Sequence, residues 1–537
     1  MTDAAGGSLL SDRLLEIAER DTERELIVDP IYGRFTYGAV AEQVERLAAC
    51  LRHHDIGPGD RVIVQLPNWA PFLVFHLALT AIGAVTAAIP IVYRERELKN
   101  TLRLTRAKAV VVPGAYRGHD YAAMAGTVRD DWNEPLRIIL VGDGNHTARP
   151  DMLSYESLMK QPWEARSTTL LAPEPNPDDV TALGFTAGTT GFLKAAMYNT
   201  RVLSAWNACL VDRFGLNEGD RIFGCSPLGH AVGFSHALRM ALTIGGSIVF
   251  FDKWDPERAL EVIEEERCTF LACATPFLLD LVYHPALQKY GSLSSVRLFL
   301  CGGASIPEKL MRDARSALPH THTSPLWGMT ECGGVTTCPF DAPEEKLLTT
   351  DGLPCDPMEL KVVGVDGGTL PPGEDGELMV RGPMVTLGYY DEPELTKESY
   401  LPDGFLRTGG QARMDEDGYV KITGRIKDLI IRGGVNIAPA EIESVLFAHP
   451  NVVNAAVVGM QDPRLGERIC AFVILSDGNS LSLSEVQQWM AKAGMAKQKW
   501  PERVEVVDEF PMTPARKVQK FRLHQLIADT LSKEEGN

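Results

Sequence analysis

The chain has 537 residues, 45% of them hydrophobic and 23% charged, with a formal net charge of −18. That length exceeds what one ordinary core accommodates, so two or more domains are expected, and the composition excludes a disordered or fibrous chain. The acidic excess works against non-specific binding to nucleic acid or to an anionic membrane surface, while leaving room for a local basic site that takes a small anion.

The first residues, Met1 to Leu10, lack the basic-then-apolar order of a secretory signal. Arg61–Gln65 is a short β-branched run, Trp69–Ile82 an apolar helical stretch and Ala84–Ile91 a second strand-like run. That order predicts a strand–helix–strand unit in a parallel sheet. The long apolar segment Phe72 to Tyr93 is interrupted by Gly83 and Pro90, so it reads as part of this soluble unit and not as a membrane span. Buried-strand runs recur at Ala109–Val112, Arg137–Val141, Ser247–Phe251 and Val296–Cys301, and helical segments at Pro256–Glu266 and Pro307–Leu318 separate the later ones. An α/β body over roughly the first four hundred residues follows. From Gly373 to Gly424 short alternating runs broken by Gly, Pro and Asp predict antiparallel strands. Beyond Gly424, strands near Leu429–Ile431, Ala455–Val458 and Cys470–Leu475, with helices near Pro439–Phe447 and Ser484–Ala491, form a small α+β unit.

Ten cysteines are scattered without a C-x-x-C pair, several inside apolar runs such as Leu298–Cys301. Reduced core thiols in a cytoplasmic setting are expected, and no structural metal.

The strongest local signal is Phe185-Thr186-Ala187-Gly188-Thr189-Thr190-Gly191-Phe192-Leu193-Lys194. Small residues let backbone N–H groups approach an anion, the hydroxyls add donors and the lysine adds charge, a set suited to polyphosphate. The spacing is not that of a P-loop, so a kinase or GTPase reading fails. Four further segments follow in order: Val296–Pro307 (VRLFLCGGASIP), Trp327-Gly328-Met329-Thr330-Glu331, Gly404–Gly424 with Arg425-Ile426-Lys427-Asp428, and Pro511–Lys520 (PMTPARKVQK). With these motifs the chain resembles, over roughly residues 30 to 525, the acyl-adenylate-forming superfamily of acyl-CoA synthetases, aryl-acid adenylating enzymes and luciferases.

The resemblance implies an α/β fold with a large N-terminal domain, residues 1–426, of sheets flanked by helices plus a small barrel-like part. A mobile α+β lid, residues 427–537, would be hinged at Lys427. It implies an AMP-forming acid–thiol ligase with ATP or acyl-AMP, Mg²⁺ and coenzyme A as cofactors. Thr186, Gly188, Thr189, Thr190, Gly191 and Lys194 match the phosphate loop. Gly302, Gly303 and Ala304 match the segment along adenine and acyl group, Trp327 the aromatic beside adenine, and Gly328 and Met329 continue that motif. Thr330 would bond the α-phosphate, Glu331 would hold Mg²⁺, and Arg425 would contact the ribose. Lys517 would bridge carboxylate and α-phosphate, and His230 would flank and gate the acyl pocket. Arg432, Gly433 and Gly434 match the loop lining the pantetheine tunnel after the lid rotates.

Three departures stand out. Ala187 replaces the usual serine, and Leu193-Lys194-Ala195 the usual Pro-Lys-Gly. Gly410 stands where an aspartate normally accepts both ribose hydroxyls, a loss of about 1.5–3 kcal/mol per charge-assisted bond. Arg516 replaces the glycine before the lysine, which predicts a stiffer or displaced lysine loop. Either neighbours compensate, or adenylation is weak and the chain converts acyl-AMP supplied by a separate adenylating enzyme.

The acyl pocket is expected from Pro227–His236, Ala274–Phe277, Cys301–Ala304 and Gly333–Val335. These segments carry no Lys, Arg, Asp or Glu, and Phe234, Phe277 and Val335 offer apolar surface, so a bulky apolar acid (alicyclic, terpenoid, steroid-derived or aryl) is predicted. Alternatives are transfer of the activated group to an amine, a carrier protein or another nucleophile, and a non-catalytic binder. Similar ligases commonly form homodimers, but no interface is legible in this sequence.

Overall fold

The computed structural model describes residues 9–142, 151–166, 175–187, 193–513 and 516–535. Arg61–Val64 and Val85–Ala88 pair in parallel, joined by the helix Ala70–Ala81. Every residue of that helix is buried, which explains why its sequence has no polar face and no helical periodicity to read. Pro71 sits in its first turn, where the missing N–H costs nothing. These strands belong to a seven-stranded sheet that ends in the antiparallel pair Val180–Ala187 and Leu193–Asn199.

A nine-stranded sheet lies beside it, its parallel centre formed by Arg221–Gly224, Phe270–Ala274, Leu298–Gly302 and His322–Met329. One apolar cluster draws residues from both sheets and the buried helix. The Asn68 side chain ties them together at several points. The Asn68 amide, just beyond strand Arg61–Val64, donates to the carbonyls of Gly224 (2.9 Å), Ser226 (3.0 Å) and Phe251 (3.2 Å) and accepts from the Leu228 N–H (3.1 Å). The same junction leaves no room at Gly229, whose Cβ would stand 2.3 Å from the Ile89 carbonyl carbon. The loop that carries His230 is thereby seated between the two sheets.

Glu359–Val363, Gly376–Arg381, Leu406–Met414 and Val420–Arg425 make a four-stranded antiparallel sheet. After a short turn at Ile426–Asp428, a five-stranded sheet packs against helices Pro439–Phe447, Leu483–Lys492 and Lys520–Glu535. Two apolar clusters here use residues from Ile430 onward only. Gly433 and Gly434, both with positive φ (57° and 83°), make the two-residue hairpin between Ile430–Arg432 and Val435–Ile437, a turn that demands such residues. All ten cysteines are buried and unpaired, and among the described residues no helix is long and apolar enough to cross a membrane.

Replacing Asn68 with leucine would strand the buried carbonyls of Ser226 and Phe251 and the Leu228 N–H, while Gly224 keeps its bond from the Phe251 N–H, a loss of about 2–4 kcal/mol. Urea titration followed by tryptophan fluorescence should show the midpoint falling; an unchanged midpoint would mean the two sheets do not depend on this amide.

Candidate active site

Parallel strands Leu298–Gly302 and His322–Met329 end at the same edge of the nine-stranded sheet, the edge at which open α/β sheets take ligands. Gly302 must be glycine, since a Cβ there would lie 2.0 Å from the Leu326 carbonyl oxygen. Gly303 follows in the left-handed region (φ +80°), and Ala304 is exposed. From Met329 the chain turns through Thr330 and Glu331 and returns antiparallel as Gly333–Thr337. Gly328 allows that return: its Cβ would meet the Gly333 oxygen at 1.8 Å.

The turn is held from outside. The Tyr198 hydroxyl donates to the Thr330 carbonyl (3.0 Å), and the Thr386 N–H donates to the Glu331 carbonyl (3.0 Å). The Glu331 carboxylate is buried, accepts from the Tyr389 hydroxyl at 2.8 Å, and is pushed up by burial against the opposing pull of that bond and of Arg425 and Lys194. Lys194 lies 5.4 Å above the Tyr389 ring, and its strand partner across the hairpin is Thr186. Gly188, Thr189, Thr190 and Gly191 lie outside the described residues.

Lys517 arrives from the far end of the chain. A Cβ on Gly303 would stand 3.2 Å from its Cε, so the lysine stem lies against that glycine. Burial, with the Arg425 charge adding to it, pushes the Lys517 ammonium down to about 8, and Glu331 opposes the shift. Its backbone N–H donates to Thr513 Oγ1 (3.0 Å), closing a tight turn in which Arg516 takes a φ of +57°. Arg516 therefore keeps the left-handed backbone of a glycine, at a cost of about 1–3 kcal/mol. The side chain offers compensation: its Nη1 meets Asp280 Oδ2 at 2.6 Å, and the guanidinium stands over Phe277 at 5.4 Å. The same Asp280 oxygen accepts from Trp254 Nε1 at 2.7 Å. The loop is fastened, with its lysine in the cleft.

Beside Lys517 is a cavity of about 50 Å³ lined by Trp206, His230, Ala231, Val232, His236, Gly303, Leu326, Gly328, Met329, Thr330, Gly333 and Gly334. Val232–Arg239 is a π-helix, a form that recurs at functional sites. Burial and the Lys517 charge push His230 down to about 3, so its imidazole is neutral. The apolar lining differs from the expected one. Phe277 packs on Trp254 (4.5 Å between rings), Phe234 on His76 (4.7 Å), and Val335 is wholly buried, so none of the three lines the cavity. Trp206 supplies the aromatic wall instead, fixed by donating Nε1–H to the Met384 carbonyl at 2.7 Å.

The structure thus gathers Gly303, Gly328, Met329, Thr330, His230 and Lys517 round one cavity, with Glu331 close behind Thr330 and Arg425 near enough to act on both its carboxylate and the Lys517 ammonium. Gly302 is buried in its strand and Trp327 is half-buried beside Gly410, whose Cβ would stand 3.9 Å from the indole. Gly433, Gly434 and Lys427 lie outside the cavity wall, and Arg432 pairs with Glu502 at 2.8 Å. His236, Trp206, Tyr389 and Asp280 were not singled out in the sequence. His236 falls inside a pocket segment, but the other three lie outside every motif and offered no signal.

The profile of the AMP-binding enzyme family matches residues 14–390, and that of the AMP-binding enzyme C-terminal domain matches residues 441–517. The chain belongs to the AMP-binding enzymes. It is 35% identical to the medium-chain fatty-acid–CoA ligase of Escherichia coli (strain K12), over 98% of this chain and 92% of that one. To the 2-hydroxy-7-methoxy-5-methyl-1-naphthoate–CoA ligase of Streptomyces carzinostaticus it is 32% identical, over 96% and 93%. Among solved structures, ATP-bound MatB from Rhodopseudomonas palustris superposes with a TM-score of 0.85 at 29% identity, covering 97% of this chain and 99% of that one. This AMP-binding enzyme accordingly belongs to a family of adenylate-forming acyl and aryl ligases.

The charge environment of Lys517 can be measured directly. Competitive acetylation with acetic anhydride should titrate Lys517 with a midpoint near 8, well below exposed lysines. In Arg425→Leu, loss of a neighbouring positive charge should move that midpoint upward. A midpoint above 10 in the unaltered enzyme would place the ammonium in solvent.

Proposed function

We propose that this AMP-binding enzyme joins a ring-sized, largely apolar carboxylic acid (aryl, alicyclic or terpenoid) to coenzyme A through an acyl-AMP, with both half-reactions on this chain. The seating of Lys517 against Gly303 at the mouth of the cavity carries the reading. In the first half-reaction a carboxylate oxygen bonds to the α-phosphorus of ATP and pyrophosphate leaves. Two anions must meet, and the transition state spreads further charge over oxygen. Lys517 faces both partners, Thr330 offers its hydroxyl at the same wall, and Lys194 and Arg425 hold positive charge nearby. Glu331, a buried carboxylate next to Thr330, would be the protein ligand of Mg²⁺ carried on polyphosphate oxygens, and the ion would neutralise phosphate charge.

The apolar wall of Trp206, Ala231, Val232, Leu326 and Met329 supports a largely apolar acyl group, and likeness to a naphthoate–CoA ligase supports a ring, for which the cavity would have to widen. Residues from Lys427 onward would act as the lid. Their separate apolar clusters support this, and the exposed Gly433–Gly434 turn is free to approach the thiol path after a rotation at Lys427.

Gly410 weakens the hold on ATP without removing the chemistry. Its N–H donates to Thr408 Oγ1 at 3.0 Å, and a Cβ would meet only that oxygen (3.2 Å) and Trp327 (3.9 Å). Gly410→Asp therefore fits, and should lower the KM for ATP at least tenfold with little change in kcat, as measured by pyrophosphate release with a turned-over acid. An unchanged KM would mean that ribose is held elsewhere. Lys517→Ala should abolish pyrophosphate release yet leave transfer from synthetic acyl-AMP to coenzyme A largely intact; product formed without coenzyme A would instead favour another acceptor.

The Arg516–Asp280 pair must break when the lid turns. Asp280→Asn should therefore speed thioester formation from preformed acyl-AMP relative to adenylation in single-turnover measurements. Equal effects on both half-reactions would count against a rotation that parts these residues.

A further inference from the structure

We propose that His236 is a specificity-determining residue, and that the acid activated here carries a hydrogen-bond donor, a hydroxyl or an amino group, which its Nε2 accepts at the Trp206 end of the cavity. This rests on the reading of the cavity as the acyl pocket and sharpens the class of acid. The tautomer follows from the neighbours. Asn207 donates through Nδ2 to the Ser235 carbonyl (3.2 Å) and to Thr243 Oγ1 (3.3 Å), which turns its Oδ1 toward His236. An amide oxygen can only accept, so His236 Nδ1, at 3.2 Å from it, bears the hydrogen and Nε2 carries a lone pair. Burial pushes this imidazole down to about 4, so at neutral pH it stays uncharged.

Nε2 has no hydrogen-bond partner among the described residues, although the side chain is only 2% exposed. It faces the cavity: a Cβ on Gly334 would stand 3.3 Å from it, so the absence of a side chain there is what leaves the nitrogen open. Nε2 is open to the cavity and not sealed in the core, and a site built to bond a substrate hydroxyl rejects the analogue without one far more strongly than an apolar wall rejects a methyl group. The reacting end of the cavity is marked by Lys517, whose charge acts on His230, whereas burial alone accounts for the lowered pKa of His236. Besides Lys517, no charged side chain lines the cavity, so a second carboxylate at the Trp206 end would find no counter-charge.

Matched sets of benzoates and cyclohexanecarboxylates, each unsubstituted, hydroxylated, aminated, methylated and methoxylated at the ring positions, test this in a thioester assay with ATP and coenzyme A. The best acid should be hydroxylated or aminated, with a kcat/KM at least tenfold above its unsubstituted and methoxylated counterparts. His236→Leu should erase that preference, so that within the variant the hydroxylated or aminated acid and its unsubstituted counterpart have similar kcat/KM, and His236→Gln, which keeps an acceptor, should restore part of it; thermal melts of both variants separate this from misfolding. If an unsubstituted, methyl or methoxy acid proves best, or if the preference survives in His236→Leu, the role assigned to His236 is wrong while the ligase reading stands. Should no acid of either set release pyrophosphate or form a thioester, the acyl class itself is wrong, and the inference falls with it.

Discussion

Everything in this cleft depends on one positive charge brought from the far end of the chain and set down against a glycine. Lys517 belongs to the small C-terminal sheet-and-helix unit, yet its stem lies on Gly303 at the edge of the nine-stranded sheet. An ammonium so placed is poorly solvated and close to Arg425, and its lowered pKa is the physical signature of both. Such a site gains by admitting anions, because each negative oxygen relieves a repulsion already present. The cleft is thus electrostatically primed for the union of a carboxylate with a phosphate.

Holding that charge in place requires contacts that resist the repulsion. Here the Thr513–Lys517 turn is closed by its own hydrogen bonds, and Arg516 anchors it to Asp280, Trp254 and Phe277 on the large body. A non-glycine residue in the left-handed region is normally a liability. The partly exposed ion pair and the ring contact work against that cost, and they also tie the lysine loop to one position. Under the function proposed above, the departure at Arg516 would bear on how the small C-terminal unit moves, whereas the one at Gly410 would bear on contact to nucleotide, so the two would act on different steps.

Two neutral histidines line the cavity. His230, near Lys517, is kept uncharged by burial and by that lysine; His236, on the π-helix, is kept uncharged by burial and oriented by Asn207. With Trp206 as the wall between helix and glycine turn, the pocket combines an apolar body with a few fixed polar atoms, the usual composition of a selective small-molecule site.

Much of this was legible in the residues, and for a definite reason. The strand–helix–strand unit, the change to antiparallel strands after Gly373 and the small final unit were written in short-range patterns, since strand period and turn chemistry are local. The Trp327–Glu331 and Pro511–Lys520 segments could be picked out through their resemblance to family motifs, which are short contiguous runs. The lining of the cavity could not. Phe234, Phe277 and Val335 carry apolar bulk in the expected segments, but helix rotation and sheet packing turn them into the core or beneath Arg516. Trp206 and Asp280 sit in ordinary helices, and only packing brings them to the site. By itself the sequence determined the fold class, the family and the chemical kinds of residue available; tertiary structure alone decided which faced the same space, because that depends on how whole helices and sheets are rotated against one another, and no local pattern records it.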